Sequence, residues 1–197
     1  SYVIELLKNS YDPRLSQECA AFNFDTGYIH ENGEVINAQT LFDTLKRVLI
    51  SDRGLGVSAS QLGIMARVFV IGDPDNPDSV IPVFNPSITN YSDEEQVFEE
   101  GCLSFPGLFI KIKRPESIRA RFSNVNGDID TANFSGLSAR VFLHEYDHLN
   151  GIVFTRRATR LNLDKAYMQQ KKLNRARKQS EKMHTITELV YDSSRSA

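Results

Sequence analysis

The feature that most constrains this chain is a pair of histidines separated by one helical turn, in the segment His144-Glu145-Tyr146-Asp147-His148. Two imidazoles at positions i and i+4 share one helix face with Cβ atoms about 5 to 6 Å apart, close enough to bind one metal ion. Glu145 is rotated by about 100° around the helix and can reach a water molecule beside that ion. The segment predicts a metal-binding helix; the alternative is a pair of ordinary core histidines.

The surrounding pattern supports a helix over residues 137 to 149. Positions i, i+4, i+7 and i+11, which share one helix face, are occupied by Leu137, Val141, His144 and His148. Gly151 lies just past the predicted end, where a left-handed residue commonly stops a helix. Leu137 and Val141 precede His144 on this face. They are expected to line an apolar pocket beside the metal, to belong to the core, or to do both.

A catalytic metal site needs a third protein ligand and one open position. One protease class continues the motif as His-Glu-x-x-His-x-x-Gly-x-x-His, and this chain follows it through Gly151 but has Phe154 at the final histidine. Cys102 is the best remaining candidate, because the segment Glu-Gly-Cys-Leu-Ser-Phe-Pro places a thiol in a glycine-bearing turn. Taken alone, Cys102 would be a small buried hydrophobic residue, which is the expectation for Cys19.

A third cluster, Gly54-Leu55-Gly56-Val57-Ser58-Ala59-Ser60-Gln61, matches the dinucleotide-binding fingerprint Gly-x-Gly-x-x-Ala. That fingerprint requires a strand before it and a helix after it. Here residues 40 to 51 have a helical pattern and residues 67 to 71 a strand pattern, which is the reverse order. Two glycines before an extended stretch instead suit a backbone that pairs with an extended ligand.

The composition is that of an ordinary globular domain, with 41% hydrophobic and 24% charged residues among 197. Further strand patterns occur at 81 to 84, 108 to 112 and 117 to 122, and Asn126-Gly127 indicates a hairpin turn. No run approaches the eighteen or so apolar residues of a membrane span, and the start lacks the pattern of a secretory signal. The two cysteines are 83 positions apart, which favours a reducing compartment, the cytosol or an organelle matrix.

Charge is distributed unevenly along the chain. Residues 156 to 182 contain ten Lys or Arg and two acidic residues, which gives this segment a net charge of +8. Because the whole chain has a net charge of −2, the remaining residues together have a net charge of −10. A helix over about 161 to 182 is predicted to dock by a thin stripe of Leu163, Ala166, Tyr167, Gln170 and Leu173. Its basic surface could attract RNA phosphates or could simply be a solvated helix face.

Taken together, the three clusters resemble the peptide deformylase family, whose members carry Gly-x-Gly-x-Ala-Ala-x-Gln, Glu-Gly-Cys-Leu-Ser and His-Glu-x-x-His in this order. The corresponding segments here are 54 to 61, 100 to 104 and 144 to 148, and similarity extends from about residue 40 to 155. Ser58 replaces the usual Ala, and Ser60 the usual Pro or Thr. Both changes bear on the shape of the substrate cleft and remove no catalytic group.

The resemblance implies an α+β fold, with antiparallel or mixed β-sheets packed around a central metal-binding helix and with N-terminal and C-terminal helices. It implies one catalytic domain over residues 1 to 160, followed by a basic helix and frayed tail over 161 to 197. The implied activity is hydrolytic removal of the N-formyl group from the initiator methionine of nascent polypeptides, with release of formate. The expected metal is Fe(II), which Zn, Ni or Co could replace.

The resemblance also assigns roles to single residues. The metal has three ligands, Cys102, His144 and His148. Glu145 transfers protons, while the Gln61 amide and the Leu103 backbone N–H face the formyl oxygen. Substrate binding is assigned to four backbone positions and two apolar side chains, namely Gly54, Leu55, Gly56, Gly101, Leu137 and Val141.

Two other functions stay open at this point. One is an inactive deformylase-like protein that retains only a metal or ribosome contact. The other is a small metalloprotease, which Phe154 and the cysteine ligand disfavour. The expected partners are a formyl-methionyl nascent peptide and, through the basic helix, the ribosome, with neither membrane nor DNA. A bacterial, phage or organellar origin would fit.

Overall fold

The structure, a computed structural model, describes residues 4 to 195, with side chains as far as Val190. Within these residues there are three α-helices: α1 (Ala38–Ser51), α2 (Gly136–Leu149) and α3 (Arg160–Arg195). Nine strands are present: β1 (Tyr28–Ile29), β2 (Val35–Ile36), β3 (Gly56–Ser58), β4 (Val68–Ile71), β5 (Ile81–Tyr91), β6 (Glu95–Cys102), β7 (Phe105–Pro115), β8 (Ser117–Ser123) and β9 (Ile129–Ser135). Short 3-10 helices lie at Pro13–Ser16, Ala59–Leu62, Pro77–Ser79 and Phe154–Arg157.

The strands form one large antiparallel sheet and two small ones. The large sheet has the order β3-β4-β5-β8-β9, so β3 is an edge strand. The hairpins β6-β7 and β1-β2 are separate two-stranded sheets, and all these pairings are antiparallel. This arrangement confirms the predicted α+β class.

Helix α2 lies at the centre because its apolar face packs on the large sheet. Ala139, Phe142 and Leu143 are buried against residues of β4, β5 and β8, and the Phe142 ring meets Phe69 edge to face at 5.0 Å between centroids. On the other side, Arg140 donates to the backbone oxygens of Gln96 and Ile112, which attaches the helix to β6 and β7. The helix is therefore held between two sheets.

The predicted helices and strands are present, and all of them have longer bounds than predicted except β4, which begins one residue later. Helix α1 begins two residues before the predicted start, and the Asn37 side chain caps it by accepting from the Thr40 N–H at 2.8 Å. The turn at Asn126-Gly127 joins β8 to β9, with Gly127 at φ +83°. Strand β6 was not predicted, because its sequence, Glu-Gln-Val-Phe-Glu-Glu-Gly-Cys, does not alternate between polar and apolar residues.

Helix α3 is longer than predicted and docks only at its start. Ala166 is buried against β7, and the Gln170 side chain donates to the Pro106 carbonyl at 3.1 Å. Tyr167 and Leu173 are 41% and 50% exposed, so the predicted docking stripe is wrong at these two positions. The helix leaves β7 after Gln170, and the described side chains from 171 to 190 are exposed.

The predicted frayed tail lies partly beyond the described part of the chain, which ends at residue 195. Within that part, no helix has the length and apolar character needed to cross a membrane.

Candidate metal centre and active site

Three potential metal ligands converge where β6 meets α2. The sulfur of Cys102 and one ring nitrogen each from His144 and His148 all lie within 4.8 Å of one another. Cys102 Sγ is 3.4 Å from His148 Nε2, and the two imidazole centroids are 5.1 Å apart. A tetrahedral ion with three protein ligands requires this kind of cluster.

Cys102 reaches the histidines because β6 ends there in a distorted hairpin. Residues 103 and 104 form the turn, so Cys102 faces Phe105, whereas the preceding Gly101 faces Phe109. The three extra residues on β7 form a bulge that contains Gly107 at φ +75°, a backbone conformation suited to glycine. The bulge reorients the end of β6 and its thiol.

Glu100 is the residue behind the site that sequence reasoning missed. Its Oε1 lies 2.8 Å from His144 Nδ1, so that ring nitrogen is engaged and the other one is left for a metal. Burial opposes the ionisation of Glu100, but hydrogen bonds from His144 and Arg114 outweigh it and lower its pKa. The available signal was its position two residues before Cys102 in the sequence.

Glu145 is buried beside the three ligands. Its Oε1 has no hydrogen-bond partner among the described residues and lies 4.0 Å from His148 Nε2. Burial raises the pKa of Glu145 to about 7, which makes it able to take up and release a proton near neutrality. A side chain at Gly56 would crowd it, because a Cβ there would lie 2.9 Å from Glu145 Cγ and 2.8 Å from Val141 Cγ1.

The Gln61 amide is held in one orientation. Its carbonyl accepts from the Ser58 backbone N–H at 3.0 Å and lies 3.2 Å from the Ser58 hydroxyl. Its NH₂ group donates to the Ser104 hydroxyl at 3.1 Å and lies 3.6 Å from Cys102 Sγ. Ser60 is 3.1 Å from Ser58, and both hydroxyls are fully buried. Of the two residues that depart from the family pattern, Ser58 therefore contacts Gln61 directly, and Ser60 contacts Ser58.

A cavity of about 640 Å³ opens on one side of this cluster. Of the residues assigned to the site, His148 lies behind the cavity wall, and the rest line it, namely Gly54, Leu55, Gly56, Gln61, Gly101, Cys102, Leu103, Leu137, Val141, His144 and Glu145. Leu137 is 57% exposed, so it lies at the rim and not in the core.

The donors fit a soft or borderline divalent ion. Burial lowers the pKa of His148 well below its ordinary value, so the ring is neutral and has a lone pair to donate. For His144, burial opposes a positive charge, but Cys102 and Glu100 raise its pKa well above the ordinary value. Cys102 and Glu100 therefore stabilise positive charge at His144, and a site that binds a metal cation must also stabilise positive charge.

Comparisons with known proteins agree with this geometry. The model of the family described as polypeptide deformylase matches residues 8 to 164. Peptide deformylase 1B of Arabidopsis thaliana, chloroplastic/mitochondrial, is 38% identical over 131 residues, which cover 65% of this chain and 48% of that protein. Peptide deformylase of Thermotoga neapolitana is 43% identical over 118 residues, which cover 58% of this chain and 70% of the relative.

The fold is also similar to solved structures. The crystal structure of peptide deformylase from Plasmodium falciparum superposes with a TM-score of 0.74 at 26% identity, covering 88% of this chain and 97% of that one. The family match covers well over half of the residues, and the structural match includes nearly the whole relative. The chain therefore belongs to the polypeptide deformylase family, metal-dependent hydrolases that remove the N-formyl group from nascent polypeptides.

Proposed function

We propose that Cys102, His144 and His148 bind one divalent metal ion with which this chain removes the formyl group from the initiator methionine of nascent polypeptides. The observation that carries the proposal is the convergence of one thiol and two imidazoles at the base of an open cavity. When bound, such an ion lowers the pKa of its water to about 7 and polarises a carbonyl oxygen. The remaining steps belong to the side chains around it.

Glu145 is proposed to move the protons. Its unpartnered Oε1 and its pKa of about 7 let it accept a proton from the attacking water and donate it to the departing amine. The leaving methionine amine needs that proton, because an amide nitrogen leaves poorly as an anion. One carboxyl group then serves as base and acid in turn.

Gln61 and the Leu103 backbone N–H are proposed to stabilise the negative charge that develops on the formyl oxygen. The Ser58 backbone and hydroxyl hold the Gln61 carbonyl, and Ser104 accepts from its NH₂ group, which leaves the second N–H for Cys102 and the cavity. Donors that are already oriented need no rearrangement during the reaction, which is why such groups lower the barrier.

The substrate backbone is proposed to pair with the edge strand β3 and with Gly101 on β6. The Gly54 N–H and the Leu55 carbonyl already bond to Leu49 and Gly72, so a peptide would use other backbone groups of residues 54 to 56. Leu137 and Val141 would accept the methionine side chain at the cavity wall. Recognition through the backbone implies tolerance of varied residues after methionine.

Fe(II) is the metal we propose for the cell, with Zn, Ni or Co able to replace it. Thiolate and imidazole ligands accept all four ions, so availability in the compartment decides which is bound. We place the chain in a bacterial-type cytoplasm or an organelle matrix, a proposal supported by bacterial and chloroplast/mitochondrial relatives.

We further propose that α3 contacts the ribosome. Between residues 171 and 182 the helix exposes six basic side chains against one acidic one, and none of them packs on the domain. Such a surface attracts RNA phosphates with strong salt dependence. Co-sedimentation with ribosomes at low and high salt tests this, and equal sedimentation after removal of residues 161 to 197 would contradict it.

The direct test of the function is formate release from formyl-Met-Ala-Ser by Fe(II)- or Ni(II)-loaded protein with air excluded. We expect formate and free Met-Ala-Ser, and no cleavage between the residues. Peptide-bond cleavage would favour a metalloprotease. A metal-loaded chain that releases no formate would favour an inactive deformylase-like protein.

A further inference from the structure

The buried carboxylate of Asp147 joins helix α2 to the segment that leads into α3. Asp147 is the fourth residue of the histidine motif, and its side chain accepts from two arginines. Arg114 Nη1 donates to Oδ2 at 2.7 Å. Arg157 donates through two nitrogens, Nε to Oδ2 at 3.0 Å and Nη2 to Oδ1 at 2.9 Å. Asp147 is thus fixed by a bidentate guanidinium on one side and a second guanidinium on the other.

Arg114 continues this network to the metal centre. It donates to both oxygens of Glu100, Nε to Oε2 at 2.7 Å and Nη2 to Oε1 at 3.0 Å. Glu100 in turn holds His144 Nδ1. An unbroken row of charged hydrogen bonds therefore runs from the surface to the proposed metal ligand, in the order Arg157, Asp147, Arg114, Glu100 and His144.

The fold brings Arg157 back to α2 by a tight reversal. Gly151 has φ +70°, and a Cβ there would lie 2.7 Å from the Ser16 carbonyl oxygen, so the turn depends on glycine. The chain then forms the 3-10 helix Phe154–Arg157, which directly precedes α3. The side chain of Arg157 is 47% exposed, whereas Asp147 is 7% exposed. Arg157 closes the outer end of the network.

We propose that Arg157 is a positioning residue for the metal centre. It orients Asp147, which fixes Arg114 and Glu100, and these in turn direct the His144 imidazole toward the ion. Without Arg157, Asp147 is held only by its single hydrogen bond from Arg114, so its carboxylate can tilt. The Nη1 side of Arg114 then loses a fixed acceptor, while Glu100 still holds the other side of that guanidinium. Groups that bond a metal ligand directly typically change metal affinity or activity 10-fold to 100-fold when they are lost, and Arg157 acts through three intervening residues, so its loss should have an effect at the lower end of that range. The inference rests on the proposed function, because it requires His144 to be a ligand.

The test uses the full chain loaded with Co(II) and compares Arg157→Gln with Arg156→Gln. Arg156 is exposed in the same 3-10 helix and carries the same charge, which makes it a matched control. We measure the rate of Co(II) transfer to a chelator, the visible Co(II) spectrum, and kcat and KM on formyl-Met-Ala-Ser. Arg157→Gln should release metal up to about 10-fold faster, with shifted bands and a lower kcat at similar KM.

Arg157→Lys should fall between the wild type and Arg157→Gln, since an ammonium group cannot form the bidentate pair. A lower melting temperature for Arg157→Gln with wild-type metal release and spectrum would overturn the proposal, because Arg157 would then be only a stabilising ion pair. His144→Ala is measured in parallel. If it retains the metal, the proposed function itself is wrong; if it loses the metal while Arg157→Gln matches Arg156→Gln, only the positioning role is wrong.

Discussion

The charged groups behind α2 and those along α3 are arranged in opposite ways. Behind α2, Glu100, Arg114, Arg140 and Asp147 are all buried, and ion pairs of 2.7 Å join them. Along α3, the basic side chains from 171 to 182 are exposed, and Arg177 makes a loose pair with Glu181 at 3.8 Å.

The buried charges behind α2 and the exposed charges along α3 therefore have different physical effects. Buried charges must be paired, and a paired network allows few geometries, so it can hold a catalytic centre in place. Exposed charges contribute little to stability and supply a field that attracts an opposite charge over a distance. Substitutions should therefore have large effects around α2 and small ones along α3.

Glu145→Gln should give the largest effect. The variant keeps the shape of the side chain but cannot transfer a proton, so kcat on formyl-Met-Ala-Ser should fall by about 10² to 10⁴ with the bound metal retained. Glu181→Gln on α3 is the control and should match the wild type, because its carboxylate is exposed. Activity of Glu145→Gln near the wild-type level would exclude Glu145 as the proton carrier.

Gln61→Ala should have the next largest effect. Loss of one oriented donor to the developing oxyanion typically costs about 10² to 10³ in kcat. Metal content should stay unchanged, since Gln61 is not a proposed ligand, and Gln179→Ala on α3 provides the comparison. Steady-state kinetics measures kcat and KM, and metal analysis measures the metal content. A rise in KM with unchanged kcat would mean that Gln61 binds the substrate equally in the ground state and the transition state, which would contradict this role.

Gly56→Ala should lower stability by about 1 to 3 kcal/mol, the usual cost of overpacking. The added Cβ would lie within 3 Å of atoms of Val141 and Glu145, both on the packed helix α2. Gly54→Ala should cost less, because its 2.8 Å contact is with the flexible end of Leu103. Urea unfolding followed by circular dichroism ranks the two variants, and the reverse order would contradict the packing described here.

Removal of residues 171 to 197 should have the smallest effect. The cut leaves the docked start of α3 intact, including buried Ala166 and the bond from Gln170 to Pro106. The melting temperature and the activity on formyl-Met-Ala-Ser should change little, because no described side chain removed by the cut is buried. A large loss of stability would show that the distal helix packs on the domain in solution.

Features that depend on short motifs could be predicted from the sequence. The spacing of His144 and His148 predicts their shared helix face, and the glycines around residues 54 to 56 predict a backbone that a ligand can approach. The structure brings these segments and Cys102 together, while the roles assigned to them stay predictions. Helix α3 runs past residue 182 because no glycine or proline follows to stop it.

The network behind the site could not be predicted in the same way. Glu100 contacts Arg114, Arg140 and His144, which are 14, 40 and 44 positions away, so no local period links them. Strand β6, which carries Glu100, is mostly exposed, and its sequence does not alternate between polar and apolar residues. These charges come together only when β6 pairs with β7 and α2 packs against that hairpin.

The most direct test of the account is the metal content of single variants after loading and gel filtration. The wild type, Cys19→Ala and His184→Ala should each retain one ion per chain, because Cys19 is a separate buried thiol and His184 is exposed on α3. Cys102→Ala, His144→Ala and His148→Ala should each lose both the ion and formate release. A Cys102→Ala protein that retains a full equivalent of metal and wild-type activity would contradict the central claim.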